Sequence, residues 1–185
     1  MAPRRQPVHP ASHAVPVAAH LGKREGRLPA VVAERHRQAL EHLADIERLD
    51  SEIASTKQRI TEQVTASGTR LTELHGVGPV IAAIVLGQVS DVRRFRTRAQ
   101  FANYNGTAPI EASSANTLRH RVNVRGNRTL NHAIHIIAVT QVGHDTPGRA
   151  YYLRKQAEGK TRKEALRALK RRVSDAVWRQ LQLDH

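Results

Sequence analysis

The chain has 185 residues, 39% of them hydrophobic and none of them cysteine, which allows one modest core with an extension and rules out disulfide scaffolds and thiolate zinc fingers. Its 30 lysines and arginines against 16 acids give a net charge of +14 and a pI near 11.3, a surface that attracts phosphates and so points to nucleic acid as partner. The longest apolar run, Val80 to Leu86, falls far short of the ~20 residues of a membrane span, and AVPVAA near the start is too short and proline-broken for a signal peptide. The expectation is a cytoplasmic chain without membrane contact. Arginine outnumbers lysine by 24 to 6, which a GC-rich genome would also produce.

Residues 1–29 carry Pro3, Pro7, Pro10, Pro16 and Pro29 with no apolar period, and are expected to form a disordered arm. Over 30–67, Ala39, Ile46, Ile53 and Ile60 recur every seven residues with Leu49 between them. This spacing predicts a long amphipathic helix or coiled coil ending at Gly68. With His42 and Thr56 in the seam, the helix either packs on the rest of the chain or pairs with a second copy, making a homo-oligomer.

Residues 68–185 read as one compact domain. In LTELHGVGPVIAAIVLGQV, residues 71–89, the apolar positions describe two helices meeting at Gly76-Val77-Gly78-Pro79, an arrangement like a helix-hairpin-helix. Gly76 and Gly78 would let backbone amides and a helix amino terminus approach a phosphate, although a tight structural turn uses the same glycines. In the following DVRRFRTRAQFANYNG, Phe95, Ala99 and Phe101 or Ala102 can face the core while Arg93, Arg94, Arg96 and Arg98 stay outside.

The segment NYNGTAPIEASSANTLRHRVNVRGNR, residues 103–128, sets Ser113 and Ser114 before Arg119, His120, Arg121, Arg125 and Arg128, with no acid after the serines. A loop or short hairpin is expected from about Asn105 to Arg125. A serine hydroxyl attacks only where a base, metal or cationic pocket stabilises the charge it develops, and guanidinium groups grip phosphate oxygens in pairs. The serines could equally be capping or turn residues.

NRTLNHAIHIIAVTQV reads as a buried helix through Leu130, Ile134, Ile137 and Ala138; His132 and His135 stand three apart, too few ligands to predict a metal site. At the carboxyl end, Thr161 and Glu164 form a capping box. Leu166, Leu169, Val173, Val177 and Leu181 make an apolar stripe beside Trp178, and Lys163, Arg167, Lys170, Arg171 and Arg172 crowd the remaining faces as a candidate backbone-binding surface. Tyr151 and Tyr152 are read as packing residues, and six aromatics are too few for base stacking to dominate binding.

Together, HGVGPVIAAIVLGQVSDVRRFRTRAQFANYNG, GTAPIEASSANTLRHRVNVRGNRTLNHAIHIIAVTQ and PGRAYYLRKQAEGKTRKEALRALKRR resemble, over roughly residues 70 to 182, the carboxyl-terminal transposase domain of insertion-sequence family one hundred and ten. The resemblance implies an RNA-guided DNA recombinase with DNA and a structured guide RNA as partners. It implies a composite active site, in which an RNase H-like domain holds magnesium on four carboxylates and this domain supplies the serine nucleophile. The family's serine, commonly followed by glycine, aligns with Ser114, where the next residue is Ala115 and Ser113 is adjacent. The only acids before position 40 are Glu25 and Glu34, so the acidic domain is expected to be missing and the chain to be a truncated transposase, inactive alone. A non-catalytic basic nucleic-acid-binding protein is the alternative. The expected fold is mainly α: a long amphipathic helix followed by a compact helical domain with the helix-hairpin-helix-like motif and a basic loop or short hairpin.

Overall fold

The computed structural model describes residues 29–111, 120–121 and 126–185. The expected arm before residue 29, the serines Ser113 and Ser114, and Arg119 and Arg125 lie outside the described residues. Chain packing divides the protein into two units, Met1–Ala54 and Ser55–His185.

Most of helix α1, Ala30–Ala66, belongs to the first unit, beginning where the Pro29 carbonyl accepts the amides of Val32 and Ala33. Along this part the apolar residues Val31, Leu40, Ile46, Leu49 and Ile53 are all exposed. The surface is laced instead by ion pairs one turn apart: Arg37 with Glu34 and Glu41, and Arg48 with Asp45 and Glu52.

In the second unit the last turns of α1 reach cover: Ile60 packs against the core and Val64 is buried. Gly68, at φ +69°, ends the helix in the left-handed conformation that glycine adopts without steric cost. Asp184 fastens the following residues to the other end of the chain. Its Oδ2 accepts from the Thr69 hydroxyl at 2.7 Å and the Arg70 amide at 3.1 Å, and its Oδ1 from Gln180 at 2.8 Å.

The helix predicted ahead of the Gly76–Pro79 turn is only a single 3-10 turn, Leu71–Glu73. Gly68 and Gly76, at φ +69° and +89°, bracket so few residues that an α-helix between them would leave nearly all its end groups unpaired. After the turn, α2 spans Pro79–Val89 with Pro79 in its first turn; it buries Ala82, Val85 and Val89, while Val80 stands 41% exposed. A second 3-10 turn, Val92–Arg94, leads to α3, Arg98–Tyr104, whose start is capped by the Thr97 hydroxyl. Both Phe101 and Ala102 are fully buried, and Ala99, expected in the core, is exposed because it lies across the helix from Phe101.

Of the expected loop or short hairpin, the structure has a short antiparallel pair, β1 Ile110–Glu111 with β2 His120–Arg121, in register Ile110 to Arg121 and Glu111 to His120. Helix α4, Arg128–Gly143, buries the predicted Leu130, Ile134, Ile137 and Ala138. Helix α5 spans Pro147–Ala157, and α6, Arg162–Leu183, starts at the predicted Thr161–Glu164 capping box and buries Leu169, Val173, Val177 and Leu181. The fold is mainly α, with α6 packed against α3, α4 and α5, and α2 against α4. Phe95 anchors one side, edge-on to Phe101 at 5.3 Å, with its carbonyl accepting the Trp178 indole N–H.

Candidate nucleic-acid interface

The hairpin rises from a narrow base. A Cβ added to Gly126 would lie 2.6 Å from the Cα and N of Gly106, so the two backbones touch where only glycine fits. Directly behind them the Asn127 amide donates to the Tyr104 carbonyl at 2.7 Å. Asn127 also caps α4 through Leu130, and its side-chain amide reaches Gln88 at 2.7 Å and the Tyr104 hydroxyl at 3.1 Å.

Asn105 organises the interior of this base. It is completely buried, its amide donating to the Ser174 hydroxyl on α6 at 2.7 Å and its Oδ1 accepting from the amide and hydroxyl of Thr107. Its backbone carbonyl accepts from Asn131 at 2.7 Å, and Asn131 in turn accepts from Lys170 Nζ at 2.7 Å. The chain of bonds satisfies every buried polar group it touches, which is the condition for a buried polar network to rigidify a fold. Lys170 is half-buried, and desolvation pushes its ammonium below the usual lysine range. His135 is likewise held low, first by burial and then by the positive charge of Lys170 and of His132.

Two of the predicted arginines, Arg94 and Arg128, border this base. Arg94 lies across two rings, 4.5 Å from the centroid of Tyr104 and 4.6 Å from that of Phe95, so its charge is fixed beside the base. Arg128 opens α4 next to Asn127 and is exposed, and Arg121 sits in β2. Arg96 is exposed, whereas Arg93 is engaged with Asp91, whose carboxyl it holds below the usual range by hydrogen bonding. On α6, Lys163, Arg167 and Arg172 face solvent, but Arg171 is committed to Asp175 at 3.2 Å and to the Arg98 carbonyl.

Gly76 and Gly78 are not part of this cluster. They precede α2 while Arg94 follows it, and eleven residues of helix separate the two by about 15 Å. Gly76 is a packing glycine: an added Cβ would meet the Ile137 carbonyl at 3.0 Å and Thr140 at 3.2 Å. Gly78, by contrast, faces open space at the head of α2. Tyr151 and Tyr152 pack against the core as expected. Among the described residues no three His, Asp or Glu side chains are gathered to share a cation.

Asn105, Asn131 and Ser174 carry no sequence signal as site residues, and Lys170, expected on the backbone-binding surface of α6, turns instead to Asn131. Lys170 did carry a signal, because it stands four after Leu166 and three before Val173, on the edge of the apolar stripe where a cation is normally held for a reason. The pairing of Asn105 with Ser174 spans 69 residues and has no periodic signature.

Residues 68–153 match the model of the transposase IS116/IS110/IS902 family. The chain is 39% identical over 106 residues to the insertion element IS110 43.6 kDa protein of Streptomyces coelicolor, covering 56% of this chain and 26% of that protein. It is 29% identical over 136 residues to the insertion element IS116 44.8 kDa protein of Streptomyces clavuligerus, covering 72% and 34%. With the insertion element IS900 42 kDa protein of Mycobacterium paratuberculosis the identity is 30% over 148 residues, covering 76% and 36%. The chain thus spans about a quarter to a third of the length of these relatives.

Proposed function

We propose, on the premise that residues 68–153 form a transposase domain of the IS116/IS110/IS902 family, that the chain is the part of a DNA recombinase that grips the strand and supplies a serine nucleophile. In this reading Ser114, or its neighbour Ser113, attacks a phosphodiester. The Oγ–P bond forms as the P–O bond to the leaving strand breaks, the hydroxyl proton lost from Oγ is balanced by the proton the leaving oxygen takes up, and the phosphoserine ester retains the bond for rejoining. Arg119, Arg121 and Arg125 hold phosphate oxygens, Arg94, Arg96 and Arg128 add charge around the hairpin base, and Gly78 leaves the head of α2 open to backbone phosphate.

The observation that carries this reading is the hairpin base. A hydrogen-bonded network, buried at Ser174 and Asn105 and part-buried at Asn131 and Lys170, and the touching Gly106 and Gly126 support a fixed base for the serine-bearing segment among stacked and half-buried cations. Magnesium does not fit the described residues, which gather no three candidate ligands, so in this reading the acidic RNase H-like domain that holds it belongs to another part of the transposase, together with the guide RNA contacts. Among the described residues no helix is long and apolar enough to cross a membrane. The exposed heptad residues Ile46 and Ile53 support self-pairing of α1.

The test is to mix the chain with an RNase H-like domain of such a relative, magnesium, guide RNA and labelled donor-target DNA, and to look for a denaturation-resistant protein–DNA adduct. An adduct that survives Ser113→Ala and disappears in Ser114→Ala is the expected result. Binding that weakens with salt while no adduct forms in a folded mixture would leave the non-catalytic alternative standing.

A further inference from the structure

A cavity of about 490 Å³ opens between α4, α5 and α6, on a different part of the domain from the hairpin base. Its floor is apolar, with Leu74, Pro147, Ala150 and Ala176 bordering it above the buried Ile137, Leu169, Val173 and Val177. Its mouth is cationic. Arg154 and Arg172 each lie 5.2 Å from the Tyr151 ring centroid, from α5 and α6 respectively, and Lys155 lies 5.6 Å from it. One carboxylate answers these three charges: Glu158 pairs with Lys155 and, at 3.8 Å, loosely with Arg154. Arg172 is exposed and has no carboxylate partner among the described residues.

We propose that this cavity takes one unpaired nucleotide of a single strand, its base on the apolar floor and its phosphate on Arg154 and Arg172. The volume lies within the ~300–1,000 Å³ of small-molecule sites, ample for a mononucleotide. A flat apolar base fits the floor, and two guanidinium groups at the rim match the oxygens of one phosphate. An acidic peptide fits less well, because an extended chain needs partners for its backbone groups. The one amide side chain in the lining, Gln141, already donates to the His75 carbonyl at 2.8 Å. Gly148 keeps the cavity open: a Cβ there would stand 2.2 Å from the Gln141 Oε1 lying across its wall. A base stacked in a duplex cannot reach this floor without being flipped out, so the site selects single strands.

The inference rests on the reading of the chain as a nucleic-acid binder, and the experiment separates the two. Anisotropy of a fluorescein-labelled oligonucleotide of about 12 nucleotides is followed single-stranded and as a duplex, with the wild-type chain and with Arg172→Ala, Ala176→Phe, which fills the cavity without removing charge, and Arg59→Ala as a charge control. Thermal melting verifies that each variant is folded. Arg172→Ala and Ala176→Phe are expected to weaken single-strand binding about tenfold or more and duplex binding less than about threefold, with Arg59→Ala near wild type on both. Equal losses on both substrates, or no loss on either, would overturn the subsite while leaving nucleic-acid binding intact. Displacement of the strand from the wild type by polyglutamate but not by uridine 5′-monophosphate would overturn it in favour of an acidic protein partner. A wild-type chain that binds neither oligonucleotide would remove the underlying reading itself.

Discussion

In the outer part of α1, Ile46 and Ile53 are 54% and 49% exposed, whereas one heptad further along the same series Ile60 packs against the core and Val64, a turn later, is 5% exposed. The residues are alike and the period is unbroken; what changes is the burial found among the described residues of each unit. The outer turns depend on ion pairs between successive turns, which need no tertiary partner, and the inner turns on burial. A heptad series therefore tells which side of a helix is apolar and leaves open what covers it.

The contrast can be broken most directly by truncating one isoleucine on each side of it. Ile134→Ala, at a fully buried position, is expected to cost about 2–5 kcal/mol in urea unfolding followed by circular dichroism, and Ile53→Ala within about 0.5 kcal/mol of nothing. Comparable losses would mean that the outer face is covered in solution, by a second copy in the reading given above. Gly126→Ala sharpens the packed side, since its methyl would press on the Gly106 backbone; a loss of about 1–3 kcal/mol is expected by the same measurement, and wild-type stability would show that the hairpin base yields.

A loss that depends on pH is expected at Asp184, which fastens Thr69 and Arg70 just after α1 ends. Burial raises the Asp184 carboxyl, but bonds from Thr69, Gln180 and the Arg70 amide outweigh it and hold the group below the usual aspartate value. Losing the charge in Asp184→Asn should cost about 1.5 kcal/mol near neutrality. A depressed folded value stabilises fully above the unfolded pKa of ~3.9 and progressively less as pH falls through the lower folded value, so the two unfolding curves should converge below about pH 4. A gap independent of pH would mean that the carboxylate charge plays no part in fastening Thr69 and Arg70.

The helices with strong periods are legible in the sequence: α4 and α6 fall where Ile134, Ile137, Val173 and Val177 repeat, and the Thr161 cap sits at its predicted place. The 71–78 stretch misled because its leucines have helical spacing while its glycines leave no length for a helix, and there backbone conformation overrides pattern. Ala99 failed for a related reason: the Thr97 cap sets the phase of a seven-residue helix that is too short for its own pattern to set it. Of the site, the arginines were legible as charge, yet not their division into free cations and committed ones such as Arg93 and Arg171. That division depends on neighbours that only the folded chain brings together, as does the bond between Asn105 and Ser174.

The touching backbones of Gly106 and Gly126 have a consequence for how such a domain changes over generations. Because the two strands are pinched together by contacts that belong to the core, the residues between them form a cassette whose ends are already closed. Doubling such a loop costs only about 0.6 kcal/mol of closure entropy, so substitutions and insertions beyond the pinch leave the helices below almost untouched. The helical scaffold can stay constant while the length of the chain beyond the pinch changes.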